Sequence, residues 1–176
     1  MRIHLSRSGL LKFLGHDHEI DAPVAEGRVE AAEDPARSSA YLRFEARRLA
    51  VVPGTEPPAD VAKVEERMRG SEVLDVERHP EIAFACSGVA VGSSGSGQPR
   101  ARVRGELTLK GRRVAVEVPV EVRTDGDGIV ATGELGLELR MLGIEPPSVA
   151  GVVRVANRFS VSFEIRARPA AELPAR

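Results

Sequence analysis

The stretch Gly15-His16-Asp17-His18-Glu19 holds the densest group of side chains able to ligate a metal or move a proton. On an extended strand His16 and His18 share a face with Cα atoms ~6.6 Å apart, close enough to grip one divalent cation. Asp17 and Glu19 then point away, and a structural zinc needs about four ligands, a catalytic one about three and a water. The other histidines, His4 and His79, are remote in sequence. The competing reading is a polar turn whose imidazoles hydrogen-bond carbonyls or carboxylates. Cys86 shares a strand face with Ile82 and Phe84, which predicts an inert buried thiol. Asp75 and Glu81 flank a turn and read as hydrogen-bonding groups rather than an acid–base pair. No phosphate-cradling glycine loop, GxSxG or HExxH occurs, so catalysis has almost no support beyond a metal-dependent hydrolase built on the histidines.

What must position these residues follows from composition. The 176 residues carry 25 Lys plus Arg against 26 Asp plus Glu, a net charge of −1, so the basic excess of a nucleic-acid binder is missing. With Trp absent and a single Tyr, only five phenylalanines are left to build a stacking platform for bases or sugars, which argues against one. The apolar runs are too short to span a bilayer or to form a secretory leader, and one cysteine allows no internal disulfide. The expectation is a cytoplasmic chain with no cofactor and no stable membrane insertion. One domain is expected over residues 1–168, with a disordered tail over 169–176 and a homodimer left open.

Period-two alternation dominates, which signals strands with one buried face. Leu42, Phe44 and Ala46 oppose Arg43, Glu45 and Arg47. Val114, Val116, Val118, Val120 and Val122 oppose Arg113, Glu117, Glu121 and Arg123, and the same holds for 129–139 and 159–167. Lys110-Gly111-Arg112 and Thr124 to Gly128 read as hairpin turns, and 92–99 as a longer loop. Asp60 to Gly70 reads as a helix with Asp60 as its cap and Val61, Val64 and Met68 on one face. The fold class is all-β. Seven or eight one-faced strands must pack on a second sheet or close, and closure predicts an antiparallel, lipocalin-like barrel of about eight strands with a short helical insertion near 60–69. Its aliphatic inner face is either a packed core or an apolar cavity.

The order of motifs resembles the YceI-like family. The resemblance lies in Phe13 to Ile20 (FLGHDHEI), Met68 to Asp75 running into His79-Pro80-Glu81-Ile82-Ala83-Phe84, Gly105 to Gly111 (GELTLKG), Leu142 to Pro146 and Phe159 to Ile165. Leu142 stands where the family usually has an aromatic residue. The resemblance implies a barrel holding a long apolar chain, a polyisoprenoid or fatty-acid derivative, without chemistry of its own. The inward residues expected to line it are Phe44, Phe84, Leu107, Leu109, Val116, Val118, Leu137, Phe159 and Phe163. The alternative is a metal-binding or metal-dependent protein built on His16 and His18. A third possibility, an interaction module, requires an uncovered sheet edge.

Overall fold

The computed structural model describes residues 1–8, 18–92, 100–149 and 153–170. Residues 93–99 of the loop expected at 92–99, residues 171–176 of the tail expected at 169–176, and His16 lie outside these residues. The strands are β1 (Arg2–Ser8), β2 (His18–Asp21), β3 (Glu26–Glu30), β4 (Ser39–Glu45), β5 (Ala50–Val51), β6 (Glu81–Gly92), β7 (Arg100–Leu109), β8 (Arg112–Asp125), β9 (Gly128–Glu138), β10 (Ser148–Val149) and β11 (Val153–Ala167), with helix α1 (Pro58–Arg69) between β5 and β6. All pairings are antiparallel, in the order β3-β4-β6-β7-β8-β9-β11-β1-β2-β5, with the short β10 beside β11.

That order forces curvature. β2 and β3 are joined by residues 22–25 yet stand eight places apart along the path, as do β4 and β5, joined by 46–49. Five residue steps reach at most ~18 Å, whereas eight spacings across a flat sheet cover ~38 Å. The sheet therefore curls into a half-barrel whose two ends face each other. Phe44 and Leu42 of β4 share one apolar cluster with Ile20 of β2 and Val51 of β5, from the opposite end of the path.

The wall differs from the expected closed barrel of about eight strands in two respects. It has ten strands on its path, because the irregular first third of the chain contributes several short ones. Nor does a ladder join β3 to β5 among the described residues. The reason at β5 is α1. Val52 N donates to Glu19 O on β2, which turns the Val51 N–H to the free edge, where Glu65 Oε1 accepts it at 3.1 Å. Arg69 Nη2 donates to Leu49 O at 3.2 Å and to Glu65 Oε2 at 3.1 Å. Helix side chains thus fill the positions a neighbouring strand would use. At the other end β3 is exposed throughout and carries Glu26, Arg28 and Glu30, a short charged edge of the kind that resists pairing.

The helix starts two residues earlier than predicted. Pro58 takes the first helical position, where its missing N–H costs nothing, and Asp60 sits in the first turn rather than capping it. Val61, Val64 and Met68 pack on the first apolar cluster as expected. The Lys110-Gly111 turn has φ of 49° and 71°, the two left-handed residues of a type I′ hairpin.

Outward residues of neighbouring strands pair by charge: Glu117 of β8 accepts from Arg104 Nε at 2.7 Å and Arg102 Nη1 at 2.9 Å, both on β7. These bonds, from Arg104 first, hold the Glu117 carboxyl below the usual carboxylate range. A carboxyl depressed in the folded state adds stability above its unfolded pKa and loses it as pH falls through the folded value. The expected result is an NMR titration of Glu117 that moves up on Arg104→Ala and moves toward the ordinary value in high salt; a midpoint indifferent to both contradicts the pairing.

Candidate functional site

The nine residues expected to line the interior all belong to its apolar clusters. Phe44 lies in the first, beneath α1; Val116, Val118 and Leu137 lie in the second, with Val120 and Val161. Leu139, Leu142 and Ile144 form a third at one end. Leu107 packs against all three, Phe84 against the first two, Leu109 against the first and third, and Phe159 against the second and third. The ladder registers explain this convergence. Phe84 opposes Leu107, Leu107 opposes Val114, and Phe159 opposes Leu137, so each pair shares a face of the sheet.

Burial divides these nine in two. Phe44, Val116, Val118 and Leu137 are buried, whereas Phe84, Leu107, Leu109, Phe159 and Phe163 are only half-buried. Large apolar side chains at the centre of a filled core would be closed to solvent. Here the inner surface of β6, β7 and β11 stays reachable.

Gly105 and Gly133, which sit on the inward face, serve a different purpose from leaving room in the lumen. A Cβ on Gly105 would meet Phe84 Cε2 at 2.6 Å, and one on Gly133 would meet Phe163 Cζ at 2.6 Å. Each glycine lets a phenyl ring lie flat on the neighbouring backbone, so two rings are fixed against the wall. Two surface depressions accompany the barrel. One, of about 460 Å³, lies beside α1 with Arg47, Glu65 and Arg69 in its lining. The other, of about 300 Å³, is lined by Pro119, Val120, Glu121, Thr132, Gly133 and Glu134. None of the nine interior residues lines either.

The sequence reading passed over Pro119. It lies on the outward face of β8 between Glu117 and Glu121, and the β8–β9 ladder ends beside it at Val120↔Gly133. A Cβ on Gly133 would meet Pro119 O at 2.7 Å, so the Pro119 carbonyl faces β9. In an extended strand the nitrogen of a residue points to the same side as its carbonyl, and at Pro119 that nitrogen has no hydrogen to give.

His16 and Asp17 lie outside the described residues, and the described residues singled out for chemistry are dispersed. β2 begins at His18, whose register partner on β1 is Leu5. His4 lies 3.6 Å from Glu19 and 3.4 Å from Ser162 Oγ, and the His79 ring packs under the Gly111 turn. No group of three or more His, Cys, Asp or Glu among the described residues is arranged to hold a metal ion. Cys86 is half-buried rather than buried, at an irregularity of β6 with its Sγ 3.6 Å from Gly88 O. Asp75 adopts φ of 51° and its backbone carbonyl accepts from Arg78 N and His79 N, while its carboxylate lies 3.8 Å from Arg78 and that of Glu81 accepts from Arg43 across the sheet instead. No described helix is long and apolar enough to cross a membrane.

The pattern of the YceI-like domain matches residues 9–167, nearly the whole chain. The chain belongs to the YceI-like family. Solved structures share the fold of this YceI-like chain. BcnA of Burkholderia cenocepacia superposes with a TM-score of 0.67 at 16% identity, covering 94% of this chain and 95% of its own. A polyisoprenoid binding domain from Saccharophagus degradans, implicated in plant cell wall breakdown, gives 0.65 at 12% identity, covering 96% and 94%. The Campylobacter jejuni YceI protein gives 0.62 at 10% identity, covering 86% and 85%. No protein with curated function matches this YceI-like chain.

Proposed function

We propose that this YceI-like chain is a non-enzymatic carrier that holds one long apolar molecule, a polyisoprenoid or fatty-acid derivative, against the inner face of its curled sheet, the wall closing around the tail. The observation that carries the reading is the half-buried state of Phe84, Leu107, Leu109, Phe159 and Phe163. Covering such surface with hydrocarbon is favourable by ~0.8 kcal/mol per methylene, so about ten methylenes supply ~8 kcal/mol before association costs are subtracted. The family, and the polyisoprenoid binding domain among its structural neighbours, support the same ligand class.

The test is solvent extraction of the purified protein followed by mass spectrometry, together with titration by a fluorescent fatty acid and by a prenyl alcohol. Binding of either class is expected. Phe159→Asp, which sets a carboxylate on the inner face, should weaken it more than about tenfold, ~1.4 kcal/mol or more. Tyr41→Asp, on the exposed outer face, should leave it unchanged. An extract free of lipid, with no saturable binding of either probe, overturns the assignment.

A further inference from the structure

The ten-stranded path is two five-stranded panels. β3-β4-β6-β7-β8 form one and β9-β11-β1-β2-β5 the other. The hairpin ladder between β8 and β9 covers only Val120↔Gly133 to Asp125↔Gly128. Beyond Pro119 the strands part company: residues 112–118 of β8 stay paired with β7, and 134–138 of β9 stay paired with β11. The surface depression lined by Pro119, Val120, Glu121, Thr132, Gly133 and Glu134 lies at the crotch of this fork.

The arms of the fork are bridged by side chains instead of a ladder. The turn from Leu139 to Ile144 follows directly on β9 and sends Leu142, 1% exposed, and Ile144, 2% exposed, into contact with Leu107, Leu109, Val114 and Phe159. The turn is held by Gly143 N to Arg140 O and Ile144 N to Leu139 O, both 3.0 Å, and reaches the sheet through Arg140 N to Asn157 Oδ1 at 3.1 Å. Gly143 sits at φ of 72°, which lets the chain reverse between the two plugging side chains.

We propose that the apolar tail enters the lumen sideways between β8 and β9, displacing the Leu142–Ile144 plug. This rests on the carrier reading and names the route and the shape of the ligand: a single hydrocarbon chain, since the plug is two aliphatic side chains wide. No β8–β9 ladder bond has to break along this arm. Each displaced side chain is matched by roughly three methylenes of the incoming tail, which take its place against Val114 and Phe159.

The experiment is stopped-flow uptake of a dansyl-labelled fatty acid by the full chain, with farnesol as competitor. Gly143→Ala strains the left-handed turn, and Leu142→Ala removes half the plug; both are expected to accelerate uptake about tenfold, the effect of ~1.4 kcal/mol on the opening step. Pro119→Val restores a donor facing β9 and is expected to slow it. Circular dichroism confirms that each variant is folded, and Gly143→Ala, which removes no buried atoms, carries the test if Leu142→Ala does not fold. Uptake rates equal to wild type in Gly143→Ala and Pro119→Val overturn the lateral route while leaving the carrier reading intact. A wild-type protein that takes up no probe removes the carrier reading, and the route with it.

Discussion

Phe44→Ala is expected to lower the unfolding free energy by about 3–5 kcal/mol, the range for emptying a buried phenylalanine site. Phe44 is 3% exposed and packs where both ends of the curled sheet and the apolar face of α1 meet. Ile82 of β6 lies opposite it, and the cluster it belongs to draws on separate elements: Ile20 from β2 and Val51 from β5, with Met68 of the helix packed on it. The strands are pinned by their own ladders, so the site cannot collapse to refill the space. Urea denaturation of wild type and variant, with the midpoint falling at constant slope, measures the loss. A change below 1 kcal/mol would mean that the two sheet ends are not packed against each other through this ring.

Gly105→Val is the second large effect, and it acts through crowding. The first added atom would lie 2.5 Å from Ala85 O and 2.6 Å from the Phe84 ring. The ring could swing away; the carbonyl belongs to β6, which is in ladder with Gly105's own strand, and cannot retreat without loosening that ladder. Overpacking of this kind costs about 1–3 kcal/mol and more where backbone must move, which places valine at or above the upper end. Adding Phe84→Leu relieves the ring collision alone, so the double variant should recover part of the loss; full recovery would show that the carbonyl contact is unimportant.

The strands that carry this inner face were readable because each buries one side. Alternation along 42–46, 114–122 and 159–167 marks the inward residues, and the registers place those residues on common faces. Individual side chains told less. Leu107 and Val118 look alike in the pattern, yet one is half-buried and the other buried, because exposure depends on how far the opposite wall stands away. The short strands β1, β2 and β3 escaped a firm reading because runs of four to seven residues carry too little alternation to fix a buried face. The seal on β5 depends on Glu65 and Arg69 reaching an edge that exists only once the sheet has curled. Pro119 was visible in VEVPVEV but stands on the outward face, behind an unbroken valine alternation; asking which neighbour loses a donor there would have located the fork. The histidine pair attracted notice by residue type, and His16 lies outside the described residues.

The partnership of β1 with β11 has a consequence for biogenesis. Ile3 sits opposite Val161, and Arg2 opposite Ser162, so β1 pairs with a strand that follows it by about 150 residues. A ribosome adding about 5–20 residues each second leaves the amino-terminal segment waiting on the order of ten to thirty seconds for its mate. Contacts this distant along the chain also place the protein among slow folders, since the whole intervening polypeptide must be looped before the seam can form. During synthesis the β11-facing side of β1 thus stays without its partner until about 150 further residues have been added.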